Sequence, residues 1–186
     1  MTVYISPAAV APAVLTFWFE EVGAEHWFAK SPEIDALCAR RFGSVRDAVL
    51  ASRAKAWRDT PDHLLAAIIV LDQFSRNLHR GSAGAFAGDP IAFDLTKLAL
   101  ERGWDGDIPP DRRQFLLMPL MHSESLADQQ RALIEFEQLG NASVLDFARR
   151  HHDQIARFGR FSGRNAALGR RTTPDEQDAL DAGAAF

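Results

Sequence analysis

Five prolines open helical runs in this chain, and they constrain its fold more than any other feature. They stand in Ser31-Pro32-Glu33, Thr60-Pro61-Asp62, Asp89-Pro90, Pro109-Pro110-Asp111 and Thr173-Pro174-Asp175-Glu176. Proline has no N–H and a fixed φ, so the first helical position suits it and the helix interior does not. A hydroxyl before it caps the helix, and an acid after it faces the positive end of the macrodipole. Apolar residues then recur at helical period, as in Ile34, Leu37, Cys38, Phe42, Val45 and Val49, and in HLLAAIIVLDQF and IAFDLTKLALERG. Two more helices are predicted from a start near Ser123 (LADQQRALIEFEQL) and from Asn141 (ASVLDFARRHHDQIARF). Gly103, Gly140 and Gly159 are the expected stops. Thr173 with Glu176 is a capping box. No turn dipeptide is flanked by alternating apolar residues, so a sheet is not expected. The prediction is an all-α fold of about seven helices, joined by short connectors that favour antiparallel hairpins.

The chain has 186 residues, 47% hydrophobic and 25% charged, which suits one domain over residues 1–186. Residues 1–13 are expected as a loose N-terminal arm. The single cysteine, Cys38, excludes an intrachain disulfide framework and points to a reducing, cytoplasmic setting. The opening MTVYISPAAVAPAV lacks the basic-then-apolar form of a signal peptide. No apolar stretch approaches the roughly 18 residues of a membrane span, so no membrane partner is expected. A net charge of −4 argues against nucleic acid as a partner. The charge is uneven, however: residues 149–171 hold seven arginines against one acid, Asp153.

Three polar clusters interrupt the apolar segments. In LDQFSRNLHRG, residues 71–81, Asp72 falls on the apolar stripe four residues after Ile68. Arg76 and Arg80 follow at four-residue steps, beside Asn77, and would share its face if the helix ran on that far. A carboxylate on a core-facing stripe needs a partner or a raised pKa. In MPLMHSESLADQ, residues 118–129, Pro119 kinks or ends a helix and places His122, Ser123 and Glu124 at a junction. There His122 suits a general acid or base oriented by Glu124 or Asp128. In HHDQIARFGRFSGRN, residues 151–165, the spacing turns His151 toward the core with His152 beside it, and Asp153 and Arg157 form an (i, i+4) pair. Arg157, Arg160, Arg164 and Asn165 then interleave with Phe158 and Phe161, a pattern suited to a carboxylate or phosphate ligand. Each cluster also has a structural reading, as a network that sets helix register. No metal-binding spacing such as HExxH links the histidines, and neither a metal nor a cofactor is expected.

These segments, with VLTFWFEE, HWFAKSPEID and ARRFG near the start, resemble the bacterial family known as domain of unknown function 924, from about Val14 to Phe186. The resemblance implies an all-α fold similar to tetratricopeptide-like superhelices, antiparallel hairpins stacked with a right-handed turn. It implies no activity, substrate or cofactor. The helix starts at Pro90 and Glu124, 34 residues apart, match the tetratricopeptide period, although the consensus of that repeat is absent. The family pattern often has proline where this chain has Ser75, proline–histidine where it has Ser162-Gly163, and aspartate where it has Thr16. Without a proline at Ser75 the helix is expected to run on past Phe74.

Three functions fit. The leading one is a module that binds a small anion or acidic peptide in a cleft lined by the three clusters, with Asp72 and Glu124 positioning arginines. The second is a hydrolase or transferase using His122. The third is a protein-interaction scaffold whose polar clusters are purely structural.

Overall fold

The computed structural model describes residues 5–183, and every regular element among them is helical. Helix α1 (Pro7–Thr16) runs into a π-helical segment (Phe17–Val22). Next come α2 (Pro32–Ala51) and α3 (Pro61–Ile68). Helix α3 passes through a second π segment (Ile69–Phe74) into the short α4 (Ser75–Leu78). The series continues with α5 (Asp89–Glu101), α6 (Pro110–Met121), α7 (Leu126–Leu139), α8 (Ala142–Phe158) and α9 (Pro174–Asp181). All five proline-marked starts open helices. Ser31 Oγ accepts from the Ile34 amide at 3.3 Å and Thr60 Oγ1 from the His63 amide at 3.2 Å. The Thr173–Glu176 capping box is complete. Gly103, Gly140 and Gly159 turn the chain with φ of +67°, +74° and +69°.

Two differences from the sequence reading have physical causes. Residues 7–13, expected as a loose arm, belong to α1, and residues 1–4 lie outside the described part. Pro12 removes one helical hydrogen bond, but α1 buries Ala11, Val14 and Leu15 and packs on α3, which offsets the loss. Second, the helix does run past Phe74, but it ends at Leu78, so Arg80 lies beyond its last turn.

The chain groups into two compact units. The first comprises the residues up to Arg80 with Gly84–Leu116, and the second comprises Gly81–Ala83 with the residues from Leu117 on. In the first unit, α2, α3, α4 and α5 all pack on the second π segment, whose six residues are buried. Phe74 makes the aromatic centre there, with ring centroids 5.0 Å from Phe42, 5.7 Å from Phe17 and 5.7 Å from Trp18. Gly88 lets α5 reach this segment, because a Cβ there would stand 2.4 Å from the Leu71 carbonyl oxygen. In the second unit, α7 and α8 pack as a helical hairpin across the two-residue connection Gly140-Asn141. A turn over Ser162–Arg164 packs against α9.

Candidate functional site

The first polar cluster is built within the first unit. Asp72 is 1% exposed and pairs with Arg76 at 3.0 Å, one helical turn on. Arg76 also forks onto Asp89, at 2.9 and 3.1 Å, and donates to the Asp72 carbonyl at 2.7 Å. Burial works against the Arg76 charge, but Asp72 and Asp89 outweigh it and raise its pKa. Asn77 and Arg80 turn to Asp35, at 2.7 Å for the amide and 2.8 and 3.0 Å for the guanidinium. Burial raises the Asp35 carboxyl and these bonds more than reverse it, so its pKa is lowered. Ser75 takes part as well: its hydroxyl accepts from buried Arg46 Nε at 3.0 Å, a contact proline could not make. Arg76, Asn77 and Arg80 are thus held by acids of their own unit, of which Asp72 is one.

The second and third clusters join within the second unit. The α6–α7 junction is stitched by Gln129, whose amide nitrogen donates to the Met121 and Ser123 carbonyls, both at 2.7 Å. Ser123 Oγ donates to Asp128 at 2.6 Å. Glu124 receives both terminal nitrogens of Arg170, at 2.8 and 2.9 Å, and the Phe161 amide at 2.9 Å. Burial pushes the Glu124 carboxyl up, but Arg170, the Phe161 amide and the Arg164 charge more than cancel that, leaving it lowered. Arg164 is 7% exposed; its Nη2 donates to the His122 carbonyl at 3.0 Å and its guanidinium lies 4.4 Å from the Phe161 ring centroid.

That ring leads to the histidines. Phe161 meets His151 edge-on at 5.4 Å, and the rings of His151 and His122 lie 5.9 Å apart. His151 is 8% exposed, as its helical spacing predicts. Its Nδ1 lies 2.8 Å from the Phe147 carbonyl, which can only accept. In the neutral ring Nδ1 therefore carries the proton. His122, His151, Phe161 and Arg164 form one contiguous group at a helix junction, with the rings edge-on or tilted to one another.

The remaining candidates lie apart from this group. Arg160 forks onto buried Glu176, at 2.6 and 2.8 Å, and reaches the Arg171 carbonyl at 2.9 Å. The Arg160 bond above all, then the Thr173 amide, holds the Glu176 carboxyl far below the usual range. Asn165 Nδ2 joins the same carboxylate at 3.3 Å. His152 pairs with Asp153 at 3.1 Å, and Arg157 covers the Phe158 ring at 4.7 Å instead of pairing with Asp153. Among the described residues no group of three or more His, Cys, Asp or Glu is placed to hold a metal ion. No described helix is long and apolar enough to cross a membrane. Asp35, Asp89, Arg170 and Glu176 are the contributors that sequence reasoning missed. Asp89 carried a signal only as part of a helix start, Arg170 only as one of the clustered arginines, and Glu176 only as the N3 residue of a capping box.

Residues 14–184 match a family described as bacterial protein of unknown function (DUF924). A solved structure of a protein of unknown function from Agrobacterium tumefaciens is similar, with a TM-score of 0.89 and 36% identity, over 95% of this chain and 99% of that one. No curated protein matches.

Proposed function

The chain belongs to the bacterial DUF924 family, whose description carries no activity, so we propose its function from its side chains: the second unit binds a small anion, through a carboxylate or phosphate group, where His122, His151 and Arg164 gather around Phe161. The observation that carries this reading is the ring pair 5.9 Å apart, continued through Phe161 to a guanidinium. Imidazole and guanidinium N–H groups in a partly desolvated corner suit an anion better than a neutral ligand. The carboxylates nearby are engaged elsewhere, Glu124 by Arg170 and Asp128 by Ser123.

This is narrower than a cleft lined by three clusters. Arg76, Arg80 and Arg160 are committed to Asp72, Asp89, Asp35 and Glu176, which supports a register-setting role for them. The α7–α8 hairpin supports the stacked-hairpin reading of the fold.

The test follows the imidazole resonances of His122 and His151 while inorganic phosphate, succinate and phosphorylated metabolites are added. Saturable shifts on both rings are expected, with that of His151 lost in His122→Ala and both weakened in Arg164→Lys. Rings that stay unmoved by every anion would overturn the reading. The adjacent imidazoles also favour a second reading, proton transfer by His122 to or from such an anion. A hydrolase and transferase panel in which wild type and His122→Ala behave alike removes that role.

A further inference from the structure

The first unit contains a cavity of about 220 Å³ that no polar cluster touches. It lies where α3 begins and where the chain enters α6. Leu65 and Ile108, 1% and 5% exposed, form its apolar floor, and Pro61 stiffens one wall. Asp62, Asp107 and Arg112 stand around it with more exposure. Among the described residues none of these three is in an ion pair or a side-chain hydrogen bond, although they share one small opening. The Arg112 guanidinium is not loose, because its carbon lies 4.9 Å from the Phe19 ring centroid. A ring against one face of a guanidinium leaves its N–H edge available and limits its motion, which lowers the entropy lost when a carboxylate docks.

Size and charge together define the ligand class. The volume is below the roughly 300–1,000 Å³ of pockets for drug-sized molecules, so the occupant has few heavy atoms. Two carboxylates and one guanidinium around an apolar floor match opposite charges carried a short distance apart on a small aliphatic body. We infer that this cavity binds a compact zwitterion, a free aliphatic α-amino acid, with its ammonium toward Asp62 and Asp107, its carboxylate on Arg112 and its side chain on Leu65 and Ile108. The carboxylate–guanidinium contact has the bidentate form that favours arginine at such sites. The site lies wholly within the first unit and is independent of the anion corner.

Calorimetry with L-leucine tests it, beside two analogues that each lack one charge, 4-methylpentanoate and 3-methylbutylamine. L-Leucine binds saturably, and each analogue binds at least about tenfold more weakly, as loss of one charge-assisted contact requires. The double variant Asp62→Asn/Asp107→Asn closes the gap between L-leucine and 4-methylpentanoate. Arg112→Gln, which keeps the stem over Phe19, closes the gap between L-leucine and 3-methylbutylamine. Circular dichroism confirms that the variants fold, which the exposure of Asp62 and Asp107 and the retained stem at half-buried Arg112 permit. Absence of saturable binding, analogues equal to L-leucine, or folded variants that bind like wild type would each overturn the inference. Anion titration of His122 and His151 remains unchanged in both variants, which separates failure here from failure of the proposed function.

Discussion

Replacing Asp72 by alanine isolates what a buried charge network contributes to the first unit. Asp72 is 1% exposed and gives Arg76 a 3.0 Å ion pair in the middle of the π segment on which four helices pack. Breaking a buried pair from one side costs about 3–5 kcal/mol when the remaining charge is stranded. Here Arg76 keeps Asp89 at 2.9 and 3.1 Å and the Asp72 carbonyl at 2.7 Å, so it is not stranded. The loss then approaches that of the bonds Asp72 accepts from Arg76 and from buried Gln73 Nε2 plus a small packing term, about 2–4 kcal/mol. Asp89→Ala leaves Arg76 with the more deeply buried acid and costs less, about 1–2 kcal/mol. Arg80→Ala breaks an exposed pair with Asp35 and costs about 1 kcal/mol or less. Urea unfolding followed by tryptophan fluorescence measures the series. Trp18, Trp27, Trp57 and Trp104 all lie in the first unit, so the signal reports that unit. In a double-mutant cycle with Arg76→Met, Asp72 shows a coupling of at least about 1 kcal/mol. If Asp72→Ala falls within about 0.5 kcal/mol of wild type, the range of ordinary surface substitutions, the network reasoning is refuted.

Gly88→Ala forces a Cβ to 2.4 Å from the Leu71 backbone oxygen and is expected to destabilise the first unit by about 2–3 kcal/mol in the same urea assay. The Cys38 thiol, 0% exposed and pushed up to about 12 by burial and the Asp35 charge, stays unreactive toward a disulfide reagent at pH 8 until the protein is unfolded. The Glu124 carboxyl is lowered in the folded state, so its stabilisation is complete above the unfolded value of about 4.3 and disappears as pH falls through the lower folded value. Hydrogen exchange at the Phe161 amide, which Glu124 accepts, loses protection over that acid range in wild type and lacks that pH dependence in Glu124→Gln. Ser162 Oγ is buried without a hydrogen-bond partner among the described residues, so Ser162→Ala leaves the stability of the second unit unchanged or raises it by up to about 1 kcal/mol. A loss above about 1 kcal/mol, measured by amide exchange in α8, would show that the hydroxyl is bonded.

The parts of this fold that were legible in the sequence are those decided by local chemistry. Ser31, Thr60, Asn141 and Thr173 cap helices because a side-chain oxygen three or fewer positions from an orphan N–H needs no tertiary context. The sequence alone predicts residues 7–13 as part of a loose arm, and their place in helix α1, with Pro12 inside it, is supported by packing on α3. The π segments escaped because periodicity is read against 3.6 residues per turn, and a locally wider turn keeps the same apolar letters. At the site, burial of Asp72 and His151 followed from spacing. The partners did not: Arg80 finds Asp35 across 45 residues and Glu124 finds Arg170 across 46. Local patterns identify a charge that needs a partner, but chain topology chooses the partner.

That choice bears on which groups remain for a ligand. Glu124 accepts an arginine fork and one backbone amide, and Glu176 accepts an arginine fork, the Thr173 amide and the Asn165 amide nitrogen. A carboxylate saturated in this way is poorly placed to move a proton, and its arginine is poorly placed to receive an anion. The abundance of arginine in residues 149–171 is therefore weak support for anion binding. The stronger support is positional. Glu124 on the Phe161 amide and Arg164 on the His122 carbonyl tie the 161–164 turn to the α6–α7 junction from both sides. These two bonds hold the turn where Phe161 meets His151 edge-on, with the His151 ring 5.9 Å from that of His122. The ion pairs thus act as the frame and the imidazoles as the proposed receptor, an arrangement in which the receptor is ordered before any ligand arrives.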